Sequence, residues 1–184
     1  MCAIYSNARR LRNVSKRRTM ERGTLGKRRL EDIRQAIRSL IIHKFGRELI
    51  HSSNLHSPPP FPLIALVHDV EDTSTFRDLS VRVKHEVFHR DVPLDRATYF
   101  ELLTQIANDA FDDEVVNWGR IGTLVAFACV AASECCQDRM GGFSVDDVVE
   151  WISHYLHRNL GDWMETKGGW VSLEVTSQNI ARVA

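Results

Sequence analysis

The chain has 184 residues, of which 43% are hydrophobic, and its formal net charge at pH 7 is +0. This length and composition allow a buried core and favour a single domain. No apolar stretch follows the N-terminal charges, which argues against a secretory signal, and the spacing of the four cysteines excludes a disulfide framework or a zinc motif. We therefore expect a protein of a reducing, intracellular compartment.

The balanced charge conceals a basic N-terminal arm. Residues 1–29 contain ten Lys or Arg and one acid, Glu21, so the remaining residues carry 14 basic and 23 acidic side chains. Segments of this composition are typically solvated and disordered, and we expect that here. The arm also overlaps in composition with mitochondrial targeting segments and could bind an anionic membrane. Since Tyr5 is the one aromatic residue among these charges, we expect no nucleic-acid partner.

Helical periodicity dominates the next hundred residues. The segment "LEDIRQAIRSLIIHKFGREL" has its apolar residues on one helical face, and the three consecutive prolines in "HSSNLHSPPPFP" then end any helix. A weaker helical zone extends from Leu63 to Phe88. Pro93 and Asp95 predict a stop and a new start before the helical spacing of "LDRATYFELLTQIANDAF".

The most apolar run in the chain is Ile121–Ala132, which predicts a helix buried on all sides and too short to span a membrane. Asn117 is its predicted N-cap. Gly122, in the first turn, indicates either the close approach of another helix or a loose site. A further helix is predicted to begin at Ser144, with Asp147 completing a capping box. The sequence thus predicts an all-α bundle around one central hydrophobic helix.

Two short motifs resemble a known family. "NWGRIGTLVAF" and "GDWMETKGGW" resemble BH1 and BH2, the first and second homology regions of the Bcl-2 family of apoptosis regulators, in the same order and about forty residues apart. The resemblance implies a Bcl-2-like helical domain over residues 30–170, followed by a short polar tail, 171–184. It also implies a surface groove that takes an amphipathic BH3 helix from a partner. The residues implied to be structural in these motifs are Trp118, Gly161, Trp163, Gly168, Gly169 and Trp170.

The resemblance also implies which residues line the groove. Arg120 would pair with the aspartate of the partner's BH3 helix, and Asn117 and Gly119 would lie at the same spot. Thr123 and Phe127 would lie deeper along the groove floor. The apolar walls would be formed by Phe76, Leu79, Leu103 and Ile106.

An arginine at the start of a core helix is also unusual on physical grounds, because the helix macrodipole disfavours a cation there. Such a residue suits recognition of a carboxylate that arrives from outside. If that pair is desolvated, we expect Arg120→Ala to weaken binding by about 2–5 kcal/mol. The alternative is that Arg120 caps internal carbonyls or pairs with Asp112 or Asp113.

The chain departs from the family at the region where pro-apoptotic relatives carry their own BH3 motif. Counting from Leu66, the small position is Val70 and the acid position is Glu71, a degraded match. This favours a pro-survival role, in which the chain sequesters BH3-containing pro-apoptotic proteins and Bax/Bak-type effectors. The alternative is a pro-apoptotic or antagonistic member of the same fold. Because the polar tail is too short to cross a bilayer, we expect a cytoplasmic protein, with association with the mitochondrial outer membrane as the alternative.

A different class is suggested by "HEVFH", in which His85, Glu86 and His89 match the zinc-protease pattern of two histidines one helical turn apart. Pro93 leaves little length for the helix that would present them, and no third ligand follows locally. No other catalytic motif or phosphate-binding loop is present in the sequence. We therefore expect no enzyme activity, no cofactor and no metal, and keep a zinc metalloprotease as the alternative.

Overall fold

The computed structural model describes residues 26–46, 58–88, 94–137 and 142–170, and within these ranges the chain is helical with short connecting turns. The tail, most of the basic arm and His89 lie outside the described residues. The helices are α1 (26–45), α2 (Phe61–Glu71), α3 (Ser74–Val83), α4 (Arg96–Asp109), α5 (Trp118–Cys136), α6 (Val145–Tyr155) and α7 (Gly161–Thr166), with π-helical turns at Lys84–Phe88 and Leu156–Leu160.

The central helix of the bundle is α5. It packs against α2, α3 and α6, and 13 of its 19 residues are buried. The predicted helix buried on all sides is confirmed, although it extends beyond the apolar run to Trp118 and Cys136. Its length and composition would also suit a membrane span, but two thirds of that stretch is buried inside the bundle. The central position therefore explains its apolar composition.

The helix starts follow local signals in the sequence. Asn117 Oδ1 accepts a hydrogen bond from the amide of Arg120 at 2.8 Å, as predicted for the N-cap of α5. Ser144 and Asp147 form the reciprocal capping box that begins α6. Asp95 caps α4, so the new start predicted there is confirmed. Each cap satisfies an amide that the first helical turn leaves without a partner.

The helical zone predicted between Leu63 and Phe88 is divided in two. Helix α2 ends at Glu71, and Thr73 begins α3 by accepting a hydrogen bond from the amide of Phe76 at 3.2 Å. After α3 the chain widens into the π-helical turn that ends at Phe88. The division arises because the Thr73 hydroxyl offers the backbone a cap where a continuous helix would offer none.

Gly122 marks the closest approach between α5 and α2. A Cβ atom at this position would lie 2.7 Å from Cγ of Leu66, well inside van der Waals contact. Of the two explanations for this glycine, the structure supports the close approach of another helix and contradicts the loose site. The small residue lets the side chain of Leu66 pack directly on the α5 backbone.

Helix α1 lies against α6 and α7 through ion pairs. Arginines on α1 face acids on the other two helices, and their side chains are only about a fifth exposed. Residues 26–29 of the predicted arm are therefore helical and belong to the folded domain. The pairs are Arg29 with Asp162 (2.7 Å), Arg34 with Glu150 (2.8 Å) and Arg38 with Asp146 (2.9 Å).

Candidate helix-binding site at the start of α5

The start of α5 is fixed by three tryptophans. Trp118 is buried, and its ring makes an edge-to-face contact with Trp163 at a centroid distance of 5.2 Å. Trp170 lies on another side of Trp118 at 5.8 Å. The chain reaches Trp170 through Gly168 and Gly169, both with positive φ, which residues with a Cβ rarely adopt. The two motifs therefore meet in one aromatic cluster, which holds α7 and the first turn of α5 together.

Arg120 lies two residues after Trp118, and its guanidinium is gripped by a carboxylate of the same chain. Both terminal nitrogens bond to Asp113, with Nη2 donating to Oδ2 at 2.7 Å. Nη1 also donates to the backbone carbonyl of Val115 at 3.0 Å and of Ala110 at 3.3 Å. The arginine thus joins the end of α4 to the start of α5. Its side chain remains 25% exposed, so a ligand approaching from solvent can reach it.

The pair is charged at any physiological pH. The hydrogen bond from Arg120, together with one from the Val115 amide, lowers the pKa of Asp113 to about 2. The same bond from Asp113 raises the pKa of Arg120 above its ordinary value. Both contacts named above as the alternative role of Arg120 are present in the free protein, since it bonds to internal carbonyls and pairs with Asp113 rather than with Asp112. A change of pH within the cellular range does not break this pair.

The turn between α4 and α5 aims this carboxylate. Glu114 has a φ of 59°, the left-handed conformation that residues with a side chain rarely adopt. The turn allows the Val115 amide to donate to Asp113 Oδ1 at 3.0 Å. The Val115 amide therefore fixes the orientation of the Asp113 carboxylate while that carboxylate binds Arg120.

The remaining residues that the resemblance assigns to the groove divide by exposure. Thr123 is half-buried and donates to the carbonyl of the buried Gly119 at 3.0 Å. Asn117 and Ile106 are also half-buried, and Leu79 is 43% exposed. Thr123, Asn117, Ile106 and Leu79 can therefore be reached from solvent without repacking.

Besides the buried Gly119, three predicted groove residues are closed off from solvent. Leu103 is fully buried, and Phe76 and Phe127 are 6% and 4% exposed. Phe127 stacks on Phe88 at a centroid distance of 6.4 Å, and Phe88 stacks in turn on Tyr99 at 6.5 Å. A ligand can contact these three only if side chains above them move.

Phe88 is the residue that sequence reasoning missed. It is 3% exposed and lies between Phe127 of α5 and Tyr99 of α4, with its ring stacked on both. The apolar spacing of Val83, Val87 and Phe88 is a signal that could have placed it in the core. The π-helical turn, which shifts the helical phase, is what carries its ring there.

The metal hypothesis gains no support among the residues that the structure describes. Within them no group of three or more His, Cys, Asp or Glu side chains could hold an ion. His85 lies exposed in the π-helical turn. Because His89 is outside the described residues, the pair itself stays a prediction.

The fold defines an all-helical bundle built around one apolar helix, with an arginine fork at that helix's start. Three solved structures share this architecture. They are Trichoplax adhaerens trBcl-2L2 bound to trBak BH3 (TM-score 0.61, 18% identity, 78% of this chain and 95% of that one), chicken BOK (0.61, 16%, 80% and 96%) and the zebra-fish pro-survival protein NRZ in complex with Bad BH3 (0.59, 20%, 81% and 94%).

Sequence comparison identifies the family. The model of the Bcl-2 family, apoptosis regulator proteins, matches residues 65–170, more than half of the chain. Chicken apoptosis regulator Bcl-2 is 35% identical over 65 residues, which are 35% of this chain and 27% of that protein. Bovine Bcl-2-related protein A1 is 29% identical over 73 residues, 38% and 41% of the two chains. The matched segment thus spans less than half of these relatives. The chain belongs to the Bcl-2 family of apoptosis regulators.

Proposed function

We propose that the chain is a pro-survival member of the family, which sequesters the BH3 helix of pro-apoptotic partners, including Bax/Bak-type effectors. The observation that carries the proposal is the partly exposed guanidinium of Arg120 at the start of α5. A planar fork of this kind binds a carboxylate through two parallel hydrogen bonds. The half-buried Thr123 and Ile106 and the exposed Leu79 supply apolar surface for the rest of an amphipathic helix.

The burial of α2 supports sequestration over the opposite role. A member that acts through its own BH3 helix must release that helix, and α2 is the segment that corresponds to it. Leu66 and Val70 are 1% and 3% exposed, and Glu71 pairs with Lys44 of α1. Release would expose this apolar face and break the packing against α5, which costs free energy. The pro-apoptotic or antagonistic role remains the alternative.

The similar structures support the proposed kind of partner. Trichoplax adhaerens trBcl-2L2 binds trBak BH3, and zebra-fish NRZ forms a complex with Bad BH3. We transfer this mode of binding to the present chain as part of the proposal. The expected place of action is the cytoplasm and the surface of the mitochondrial outer membrane.

The described cysteines of the domain support a binding role without catalysis. Burial raises the pKa of Cys129 and Cys135 to about 12 and also raises the pKa of Cys136, so none of the three described thiols readily forms the thiolate that nucleophilic catalysis needs. We therefore propose that the chain works as a regulator and not as an enzyme.

The first test is a fluorescence-polarisation titration of the purified chain with a panel of BH3 peptides, with Arg120→Ala alongside. In the free protein Arg120 already bonds to Asp113, so exchanging one carboxylate for another gains less than forming a new pair. We therefore expect a loss near the low end of the range for buried pairs, about 2 kcal/mol or roughly thirtyfold in Kd.

The matched control is Arg96→Ala. It removes an exposed arginine at the start of α4, whereas Arg120 bonds to the end of that helix, and Arg96 pairs with Asp147 of α6. This variant is expected to bind every peptide as the parent does. Equal binding by the parent and Arg120→Ala would contradict the groove assignment. Once binding is established, a cell-survival assay decides the role, since protection supports sequestration and increased death supports the alternative.

A further inference from the structure

The grip of Asp113 on Arg120 has the geometry that a partner's carboxylate would need. Both carboxylate oxygens meet both terminal guanidinium nitrogens, so the two planar groups lie fork to fork. An incoming carboxylate cannot form the same pair of bonds while Asp113 occupies them. Binding at Arg120 is therefore an exchange of one carboxylate for another.

Asp113 is positioned to be exchanged. Its side chain is 53% exposed, twice as much as that of Arg120, so it lies on the solvent side of the pair. After it leaves, the guanidinium keeps its bonds to the carbonyls of Val115 and Ala110, which hold it in the same place. The receptor arginine is thus already oriented before any ligand arrives.

The orientation of the Asp113 carboxylate is also fixed by the neighbouring backbone. The Val115 amide bonds to Asp113 Oδ1, and the left-handed Glu114 keeps the turn in the conformation that makes this contact. A carboxylate whose orientation is fixed by the fold loses little side-chain freedom when it pairs with Arg120. Its effective concentration at the arginine is accordingly high.

We propose that Asp113 is a built-in competitor for the partner carboxylate and determines which BH3 helices bind. The inference rests on the proposed function, because it assigns a specificity role at the same arginine. Helices whose carboxylate is well aligned displace Asp113, whereas poorly aligned ones do not. Asp113 thereby raises the affinity that a BH3 helix needs in order to bind, although Asp113 contacts no other part of that helix.

The test is the same peptide titration with Asp113→Asn. The asparagine oxygen can still accept the Val115 amide, so the turn is retained while the negative charge is removed. Since exposed ion pairs are worth little individually, we expect this variant to bind about two- to fivefold tighter than the parent. The gain is expected to disappear in the Arg120→Ala, Asp113→Asn double variant and with a peptide whose aspartate is replaced by asparagine.

The matched control is Asp112→Asn, which removes the same charge from the adjacent exposed residue. A gain confined to Asp113→Asn supports competition, and an equal gain in Asp112→Asn would replace it with a general charge effect and overturn the inference. Circular dichroism melts of each variant check that the fold is intact.

The two proposals can fail separately. If the parent binds peptides through Arg120 and Asp113→Asn binds them no more tightly, the competitor role of Asp113 is wrong and the proposed function is retained. Binding by Asp113→Asn alone would support a competitor that blocks the groove completely. If neither the parent nor Asp113→Asn binds any peptide, both proposals are wrong.

Discussion

Replacing Gly122 by alanine would stabilise α5 as an isolated helix but would destabilise the folded protein. In an isolated helix, replacing it by alanine would gain about 1 kcal/mol of helix propensity. In the bundle, the added Cβ would lie 2.7 Å from Cγ of the buried Leu66, a branch point that cannot rotate away. Overpacking of this kind costs about 1–3 kcal/mol.

Subtracting the gain in helix propensity from the cost of overpacking, we predict that Gly122→Ala lowers the free energy of unfolding by up to about 2 kcal/mol, measured by urea denaturation. Combining it with Leu66→Val removes part of the clash, so the double variant is expected to lose less than the sum of the two single changes. A Gly122→Ala variant more stable than the parent would show that α2 moves away from α5 at little cost.

Single residues also show where sequence-based prediction ends. Asn117 could be predicted as a cap because the signal and its consequence are three residues apart. Whether Arg120 pairs with Asp112 or Asp113 could not be predicted, since the two acids are adjacent and identical. The choice depends on the turn at Glu114, whose left-handed φ is not indicated by its residue type.

At the scale of elements, the start of α6 depends on one reciprocal pair. The Ser144 hydroxyl accepts from the Asp147 amide at 3.1 Å, and the Asp147 carboxylate accepts from the Ser144 amide at 2.9 Å. We predict that Ser144→Ala lowers the free energy of unfolding by about 1 kcal/mol, measured in urea. Ser144→Asp keeps an N-cap acceptor and is expected to lose clearly less; equal losses would mean that the cap is not what stabilises α6.

Element boundaries were predictable where caps are local and not where the helix changes its pitch. The starts at Asp95, Asn117 and Ser144 all agree with the structure. No comparable local signal indicates the π-helical turn that ends at Phe88, because this turn depends on the packing of Phe88 against residues of α4 and α5. For that reason the helix starts could be predicted from the sequence, whereas the stacking of Phe88 on Phe127, which depends on that turn, could not.

At the scale of the whole molecule, the junction of α1 with the C-terminal helices is sensitive to acid. His157 lies in the π-helical turn before α7, and its Nδ1 is buried without a hydrogen-bond partner among the described residues. Burial lowers the pKa of His157, and the neighbouring charges of Arg29, His154 and Arg158 lower it further, against an opposing effect of Asp162.

The sign follows from proton binding. With a lowered pKa in the folded state, the unfolded chain binds more protons than the folded one near pH 6, so stability falls as pH drops below the ordinary histidine value. We predict a smaller free energy of unfolding at pH 5.5 than at pH 7.5, with a slope of at most about 1.4 kcal/mol per pH unit from this group. His157→Gln is expected to flatten the slope.

The control for that prediction is His85→Gln, which removes an exposed histidine in the other π-helical turn, Lys84–Phe88. If both substitutions flatten the slope equally, the acid sensitivity does not arise at the α1 junction.

The aromatic cluster at the start of α5 has an evolutionary consequence. Trp118 belongs to one motif, and Trp163 and Trp170 belong to the other, yet their rings are in direct contact. We therefore expect the two stretches to vary together, because a change in either ring alters the space available to the other. Among homologues, a smaller side chain at one of these positions should be accompanied by a compensating change at another.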